Sequence, residues 1–503
     1  MFEAVARAAG RAPDALARRA EESCAPIVDR FRERRADARF RNRSRPRTTP
    51  AADAPRHVVL VVVDALRADA VAPERAPFLD SLSGTDAVAP STWTFPSVTS
   101  LATGRYPHAH GAMRRTDGFD DAVLDVTPLP PRAAPEAWTL PEALSSAGYE
   151  TRGSFGMLVP FLALAGRFEA HDLREGADAG TLLASHREWL TDRLDRRTFS
   201  YIHLSDLHEP VDPPAPYWRE HGVDPSIPGI RTWRYENVCH DSPTVERYRT
   251  HRRELYRAAV EYVDNRLESH LRRLRDLLGD DALVFVAGDH GEGFWERAAF
   301  GAEHFADPRP AYCVGHGGAP YEAIARVPLL WDGDGDGAEG LRNGIGDRDD
   351  PNDRDGHGGP DGPAGHDGPV SLVDVAPTVA DAVGLPTPEP ADGVSLLGGS
   401  PRERREDDGG PPAGRPVLVE GARYGYEKKA AYGGGWKLIV SRGDGVERWF
   451  SLPDEEPGEP PEAVRESLLE RVPPWPERGD AAGTARTAVS GGVERRLDRL
   501  GYV

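Results

Sequence analysis

The chain has 503 residues, enough to bury one large α/β domain or a large domain with a smaller one. Its 82 acidic residues against 62 basic ones leave a net charge of −20, which disfavours non-specific binding to nucleic acid. Lys428, Lys429 and Lys437 are its only lysines, so arginine carries almost all the positive charge. An acidic, lysine-poor surface suits a halophilic protein kept soluble in concentrated salt; GC-rich coding is the plainer account of arginine over lysine, but does not explain the excess acid. Cys24, Cys239 and Cys313 have no paired spacing and give neither a disulfide framework nor a thiolate metal site. Met1 to Arg18 lacks the apolar core of a signal peptide and no apolar run is long enough to cross a bilayer, so the expected location is the cytoplasm.

Residues 1–50 read as a helical, Arg-rich extension, with Phe2, Val5, Leu16, Ile27, Val28, Phe31 and Phe40 near helical spacing. A solvated helix packed on the main domain fits better than a binding arm, because Arg30, Arg32, Arg34 and Arg35 alternate with Glu33 and Asp37. The main domain is expected over 56–400. Val58–Val63 is uniformly apolar, as in the centre of a parallel sheet covered on both faces. Helix beginnings follow at Ala76–Leu82 and Thr99–Thr103, and a helix at Thr139–Gly148 with Thr139 as its cap. Strands are predicted at Thr198–Leu204, Asp281–Ala287 and Val327–Trp331, and helices at Tyr248–Leu278 and Leu372–Val383. Such alternation calls for a doubly wound α/β sheet, mostly parallel, with helices on both faces and ligands at the carboxyl ends of its strands. A Gly/Asp-rich insert at 332–368 reads as an acidic loop rather than a calcium loop, since Asn343 stands at its twelfth position. Residues 415–475, with strands at Pro416–Glu420, Ala431–Val440 and Val446–Leu452 and a helix at Pro461–Arg471, suggest a small antiparallel subdomain. The tail 476–503 carries Val493, Leu497 and Leu500 on one helical face.

Three strand ends carry acids, Asp64, Asp206 and Asp289. A buried, unpaired carboxylate is costly, so Asp64 is either a metal ligand or a helix cap. Asp289-His290 is the stronger signal, because adjacent residues at a strand end both reach a metal where Gly291 lets the chain turn. Glu292 reads as a helix-start or supporting residue. Thr94, braced by Phe95-Pro96, is a candidate nucleophile or a simple helix cap. Arg105 and helix amides are candidates for receiving anionic oxygens. His208 and the glycine-flanked His316 are placed to orient a substrate oxygen or protonate a leaving group, while His203 reads as a supporting residue.

Several segments together resemble the sulfatase branch of the alkaline phosphatase superfamily over roughly residues 56 to 460. They are Val62–Asp69, Thr94–Ser97 with Leu101–Pro107, His203–Pro210, Gly288–Glu292, His316–Gly317 through Leu329, Val373–Thr378 with Asp392–Leu396, and Lys437–Leu438 with Trp449–Leu452. The resemblance implies an alkaline phosphatase-like fold and a divalent cation (Mn, Zn, Ca or Mg) held by Asp64, Thr94, Asp289 and His290. One metal is expected, with Asp206, His208 and His316 available to a weaker second one. The departures bear on the chemistry. Family members that use formylglycine make it from cysteine or serine, where this chain has Thr94. Val98 stands for an expected arginine, Ala65 for a second acid, and Gly153–Met157 lacks the usual lysine and histidine. With less fixed positive charge, the expectation is a phosphate mono- or diesterase acting through Thr94. The alternatives are a sulfuric ester hydrolase and a catalytically silent metal-binding protein. The expected partner is an anionic small-molecule, sugar or lipid ester, with no nucleic acid; the oligomeric state is left open.

Overall fold

The computed structural model describes residues 14–113, 129–232, 242–309, 314–332, 341, 369–387, 390–397, 415, 417–473 and 475. Most of the acidic insert, the break at Arg402–Gly414 and the tail 476–503 lie outside the described residues.

The run His57–Val63 (β1) is buried at every position and pairs in parallel with Thr198–Leu204 (β5) on one side and Ala282–Gly288 (β6) on the other. Its side chains alternate between two cores. Val58, Leu60 and Val62 enter one, and Val59, Val61 and Val63 the other, which is why both phases of the strand are apolar. The full sheet has eight strands in the order β10-β2-β9-β6-β1-β5-β3-β4, where β2 is Ser83–Val88, β3 Glu150–Phe155, β4 Ala170–Leu173, β9 Arg326–Asp332 and β10 Val370–Ser371. Only β9 runs against the rest. The doubly wound α/β architecture expected from the alternation of elements is present.

The long helix is Pro243–Leu278, starting five residues earlier than its apolar pattern because Ser242 caps it by accepting from the Val245 amide. The nucleophile-segment helix also begins early, at Thr94 rather than Thr99, and ends at Thr103 on left-handed Gly104. Thr139 precedes the helix Leu140–Ser146 as expected, but its hydroxyl donates to Glu142 instead of capping the backbone. Strands β2, β3 and β4 were not anticipated. They are short, and Ser83-Gly84-Thr85-Asp86 and Ala170-His171-Asp172 lack an apolar run.

The N-terminal helix, Asp14–Arg41, lies against β4 through only part of the apolar stripe expected of it. Ile27 and Phe31 are exposed, Ala36 enters the main core and Phe40 is buried, and Glu33 and Asp37 accept from the backbone amides of Leu173 and His171. Those carboxylates satisfy an edge that would otherwise present unpaired amides.

Five antiparallel strands form a separate C-terminal sheet: Val417–Val419 (β11), Lys429–Gly433 (β12), Trp436–Ser441 (β13), Val446–Ser451 (β14) and Glu456–Pro457 (β15). The expected single strand Ala431–Val440 is a hairpin, turned at Gly434-Gly435, both with positive φ. This sheet is tied to the main one by Lys437, buried between Glu322 at 2.8 Å and Glu455 at 2.7 Å. Replacing Lys437 by Met leaves two buried carboxylates facing each other without their cation. The expected loss is about 3–5 kcal/mol of unfolding free energy, read from urea denaturation.

Candidate active site

The chemistry-bearing residues gather where β1 and β6 end. After Val63 the chain turns at Ala65, whose φ of 60° is unusual for a residue with a side chain, and the turn leaves Asp64 fully buried. After Gly288 come Asp289 and His290, also fully buried. Gly288 and Gly291 are required by close approach, not by a left-handed turn: a Cβ on Gly288 would meet the Leu66 carbonyl at 2.4 Å, and one on Gly291 the Ala323 carbonyl at 2.1 Å. The apolar helix Thr94–Thr103 presents its first residue to the same point. Trp93 is the N-cap, so Thr94 is not a capping residue; its hydroxyl lies 3.2 Å from Asp64 Oδ2 and 3.1 Å from His290 Nε2.

The hydrogen bonds leave a cluster of cation ligands. His203 Nε2 donates to Asp64 Oδ2 at 3.1 Å, and the Tyr201 hydroxyl is 2.9 Å from His203 Nδ1. Asp289 Oδ1 accepts from the amides of Ala65 and His290. The other oxygens, Asp64 Oδ1 and Asp289 Oδ2, are buried with no hydrogen-bond partner. His290 Nδ1 lies 2.9 Å from the Gly291 carbonyl, an acceptor only, so Nδ1 carries the proton and the Nε2 lone pair faces the carboxylates. Ligand atoms of Asp64, Asp289 and His290 all lie within 4.8 Å of one another. Two bare carboxylate oxygens and an imidazole lone pair suit a divalent cation.

Charge in the cluster is unevenly divided. Burial raises the Asp64 carboxyl, but His208, His203 and His290 outweigh it and hold this group well below the ordinary range. Burial, and then the charge of Asp64, push Asp289 up to about 6. Burial lowers the His290 imidazole, yet Asp289 and Asp64 together carry it above its usual value.

His316 follows. Its ring centre lies 4.4 Å from that of His290 and 5.1 Å from that of His208, so His316 packs against both imidazoles. Burial lowers both His208 and His316 from the usual imidazole value. His208 Nδ1 donates to the Glu209 carbonyl at 2.7 Å, and His316 Nδ1 is 3.2 Å from Glu292 Oε1. Glu292 starts no helix; burial pushes its carboxyl up to about 7.

Two sequence candidates lie elsewhere. Asp206 accepts from the Ala179 amide at 3.0 Å through Oδ1 and lies near Asp178, and among the described residues it falls outside the one cluster able to hold a metal. Arg105 follows the far end of the Thr94 helix, roughly 15 Å away at 1.5 Å rise per residue, with Asp392 at 4.0 Å. Arg67, which had no assigned role, holds the Asp289–Glu292 segment through the Glu292 carbonyl, together with Asp69 and Glu296. Its position three residues after Asp64 was the available signal. Ser97 donates to the Asp289 carbonyl at 2.5 Å.

The Sulfatase family model matches residues 56–385. The chain belongs to the sulfatase family. Thr94 stands at its metal site in place of a formylglycine-type residue. No curated protein matches it. Among solved structures it is similar to a phosphonate monoester hydrolase from Silicibacter pomeroyi, at 16% identity and a TM-score of 0.55 over 82% of this chain and 94% of that one. A phosphonate monoester hydrolase of Agrobacterium radiobacter gives 16% and 0.53 over 80% and 90%. A 2-O GAG sulfatase gives 16% and 0.52 over 83% and 90%. At this identity the likenesses speak for the fold alone.

Protons compete with a cation for Asp289 and His290, whose pKa values are both raised, so this sulfatase-family site should bind metal more weakly as pH falls through about 6. Titration calorimetry with Mn²⁺ at pH 5.5 and 7.5 reads this as a loss of affinity at the lower pH. Asp289→Asn should weaken binding by about 100-fold or more, and Thr94→Ala by only a few-fold.

Proposed function

We propose that the protein is a metal-dependent hydrolase of anionic esters with Thr94 as its nucleophile. The observation that carries this reading is the Thr94 hydroxyl, buried and 3.2 and 3.1 Å from Asp64 and His290. A divalent cation held by Asp64, Asp289 and His290 would neutralise negative charge on the ester and lower the pKa of the hydroxyl. Thr94 donates its hydrogen bond to Asp64 Oδ2, which the neighbouring imidazoles keep ionised. As its proton passes to Asp64, Oγ1 attacks the central phosphorus or sulfur, the ester bond in line with it breaks and the alkoxide takes a proton from water, and a second water then hydrolyses the threonine ester. The N-terminal amides of the Thr94 helix face the developing charge. Glu292 and His316 act as a pair: with the shared proton on the Glu292 side, His316 Nε2–H donates to a non-bridging oxygen. His208 lines the opposite flank. Arg105, beyond the far end of the helix, supports the loop at Asp392 rather than the reacting group.

Family membership supports a sulfate ester ahead of the phosphate ester expected from the sequence departures. The phosphate reading keeps one specific support. Threonine has a single side-chain oxygen, so the covalent intermediate must be released by attack at its central atom, a route open to a phosphothreonine. An anionic sugar-type ester, a single cation and a location in the cytoplasm complete the proposal. The acidic surface with buried lysines supports work in concentrated salt. With Asp206 turned away, His208 and His316 are what remains for a weaker second cation.

Parallel assays of aryl sulfate, aryl phosphate, phosphodiester and phosphonate monoester, each with Mn²⁺, Zn²⁺, Mg²⁺ and Ca²⁺, decide the substrate. Turnover confined to sulfate removes the phosphate reading, and the reverse removes the sulfate one. In either case Thr94→Ala should lower kcat by about 10³-fold or more while the metal stays bound. Wild-type turnover by that variant would overturn the nucleophile assignment.

A further inference from the structure

The candidate catalytic residues lie at the carboxyl ends of the strands, and the opposite side of the sheet carries a groove of its own. The helix Ala179–Thr191 leads into β5 and the long helix Pro243–Leu278 leads into β6, and the two helices pack together. Their last turns therefore lie beside the amino ends of those strands. Seven residues of strand, at about 3.3 Å each, separate that side from Asp64 and Asp289. Between the helix ends is an open groove of about 470 Å³, lined by Ala184, Arg187 and Glu188 of one helix and by Arg273, Asp276 and Leu277 of the other. That volume falls in the range of small-molecule sites and exceeds what a bare ion fills.

The positive charge in this groove has no carboxylate partner. Arg187 Nη1 lies 3.0 Å from His270 Nδ1. A guanidinium only donates, so His270 accepts there and its ring is neutral. The remaining protons follow: His270 Nε2–H donates to His186 Nδ1 at 3.1 Å, and His186 Nε2–H donates to Ser200 Oγ at 2.9 Å. Both imidazoles are buried, and burial holds His186 down at about 3. Arg187 is thus held by an uncharged partner, which fixes the guanidinium and leaves its charge unbalanced. Arg273 is exposed, and among the described residues neither arginine makes an ion pair. Its neighbours on the long helix do, Arg272 with Glu268 and Arg275 with Asp332. The two guanidiniums line one groove and act on each other. After burial, the charge of Arg273 lowers Arg187 most, ahead of the opposing pull of Glu188. An anion set between them relieves that repulsion.

We propose that this groove binds a sugar-sized phosphate monoester, with its phosphate bridging Arg187 and Arg273. A phosphate monoester carries close to two negative charges at pH 7, matching two guanidiniums that each offer paired N–H donors. The rest of the groove suits a polyol. The Glu188 and Asp276 carboxylates accept from hydroxyls, and Leu277, 43% exposed, joins Ala184 as an apolar surface for the C–H face of a ring. Binding here requires no turnover at Thr94.

Titration calorimetry of the full chain with Mn²⁺ present, using glucose 6-phosphate, glucose 6-sulfate, glucose and inorganic phosphate, tests this. Glucose 6-phosphate should bind about tenfold or more tighter than glucose or inorganic phosphate, and more weakly as salt is added. The singly charged sulfate should bind less tightly than the phosphate. Arg187→Gln and Arg273→Gln should each weaken glucose 6-phosphate by about tenfold or more. Arg273 is exposed, so Arg273→Gln should unfold at the wild-type urea concentration and decides the matter even where Arg187→Gln folds poorly. Asp289→Asn, which disables the metal site on the far side of the sheet, should leave the affinity within about twofold. Binding lost in Asp289→Asn and kept in both arginine variants would place the ligand in the catalytic pocket and overturn the proposal. So would the absence of binding, or a glucose 6-phosphate affinity no better than that of glucose, inorganic phosphate or the sulfate.

Discussion

Two carboxylates with no cation of their own are buried together at the ends of β1 and β6, and most of the surrounding structure answers to that constraint. Asp64 and Asp289 cannot both carry charge in a water-free site without strong repulsion. The fold divides the burden: three imidazoles keep Asp64 ionised, and Asp289 is left with a raised pKa. Each carboxylate has one oxygen anchored, by His203 or by the amides of Ala65 and His290, and one left bare. Such an arrangement is poorly stable by itself and well suited to a divalent ion, which converts repulsion into shared ligation.

Position follows from the strands. β5 lies beside β1 and delivers His203 against Asp64, while β6 on the other side delivers Asp289 and His290. The register pairs Val63 with both Leu204 and Gly288, so the last residues of three strands end level and their side chains converge. Thr94 then enters from a helix that is buried along its whole length and so has little freedom to withdraw its hydroxyl. Ser97 on the same helix grips the Asp289 carbonyl, coupling nucleophile and ligand strand directly.

β1 and β6 and their ligand residues were legible in the sequence because each strand is an apolar run that leads into an acid, Asp64 or Asp289. Thr198–Leu204 matches to the residue. Legibility failed where structure is set across the chain. β2 and β4 are held by neighbours rather than by their own side chains, and the N-terminal helix docks through Glu33 and Asp37 while its apolar Ile27 and Phe31 face outward. Local sequence also could not tell that Asp206, placed at a strand end like the other two acids, would turn to a helix amide at Ala179.

The lysines show how far the second sheet is built into the first. Lys428, Lys429 and Lys437 are all buried, although a salt-adapted or arginine-biased surface would account only for their absence outside. Lys429 lies 2.9 Å from Glu420, the residue that bonds the Pro90 carbonyl, and Lys437 holds Glu322 in the short helix that follows the His316 loop. A compact ammonium fits between closely set carboxylates where the broad guanidinium fork would not. Buried lysine is therefore placed where the C-terminal sheet grips the two segments flanking Thr94 and His316. That sheet is thereby fixed against the segments that carry Thr94 and His316.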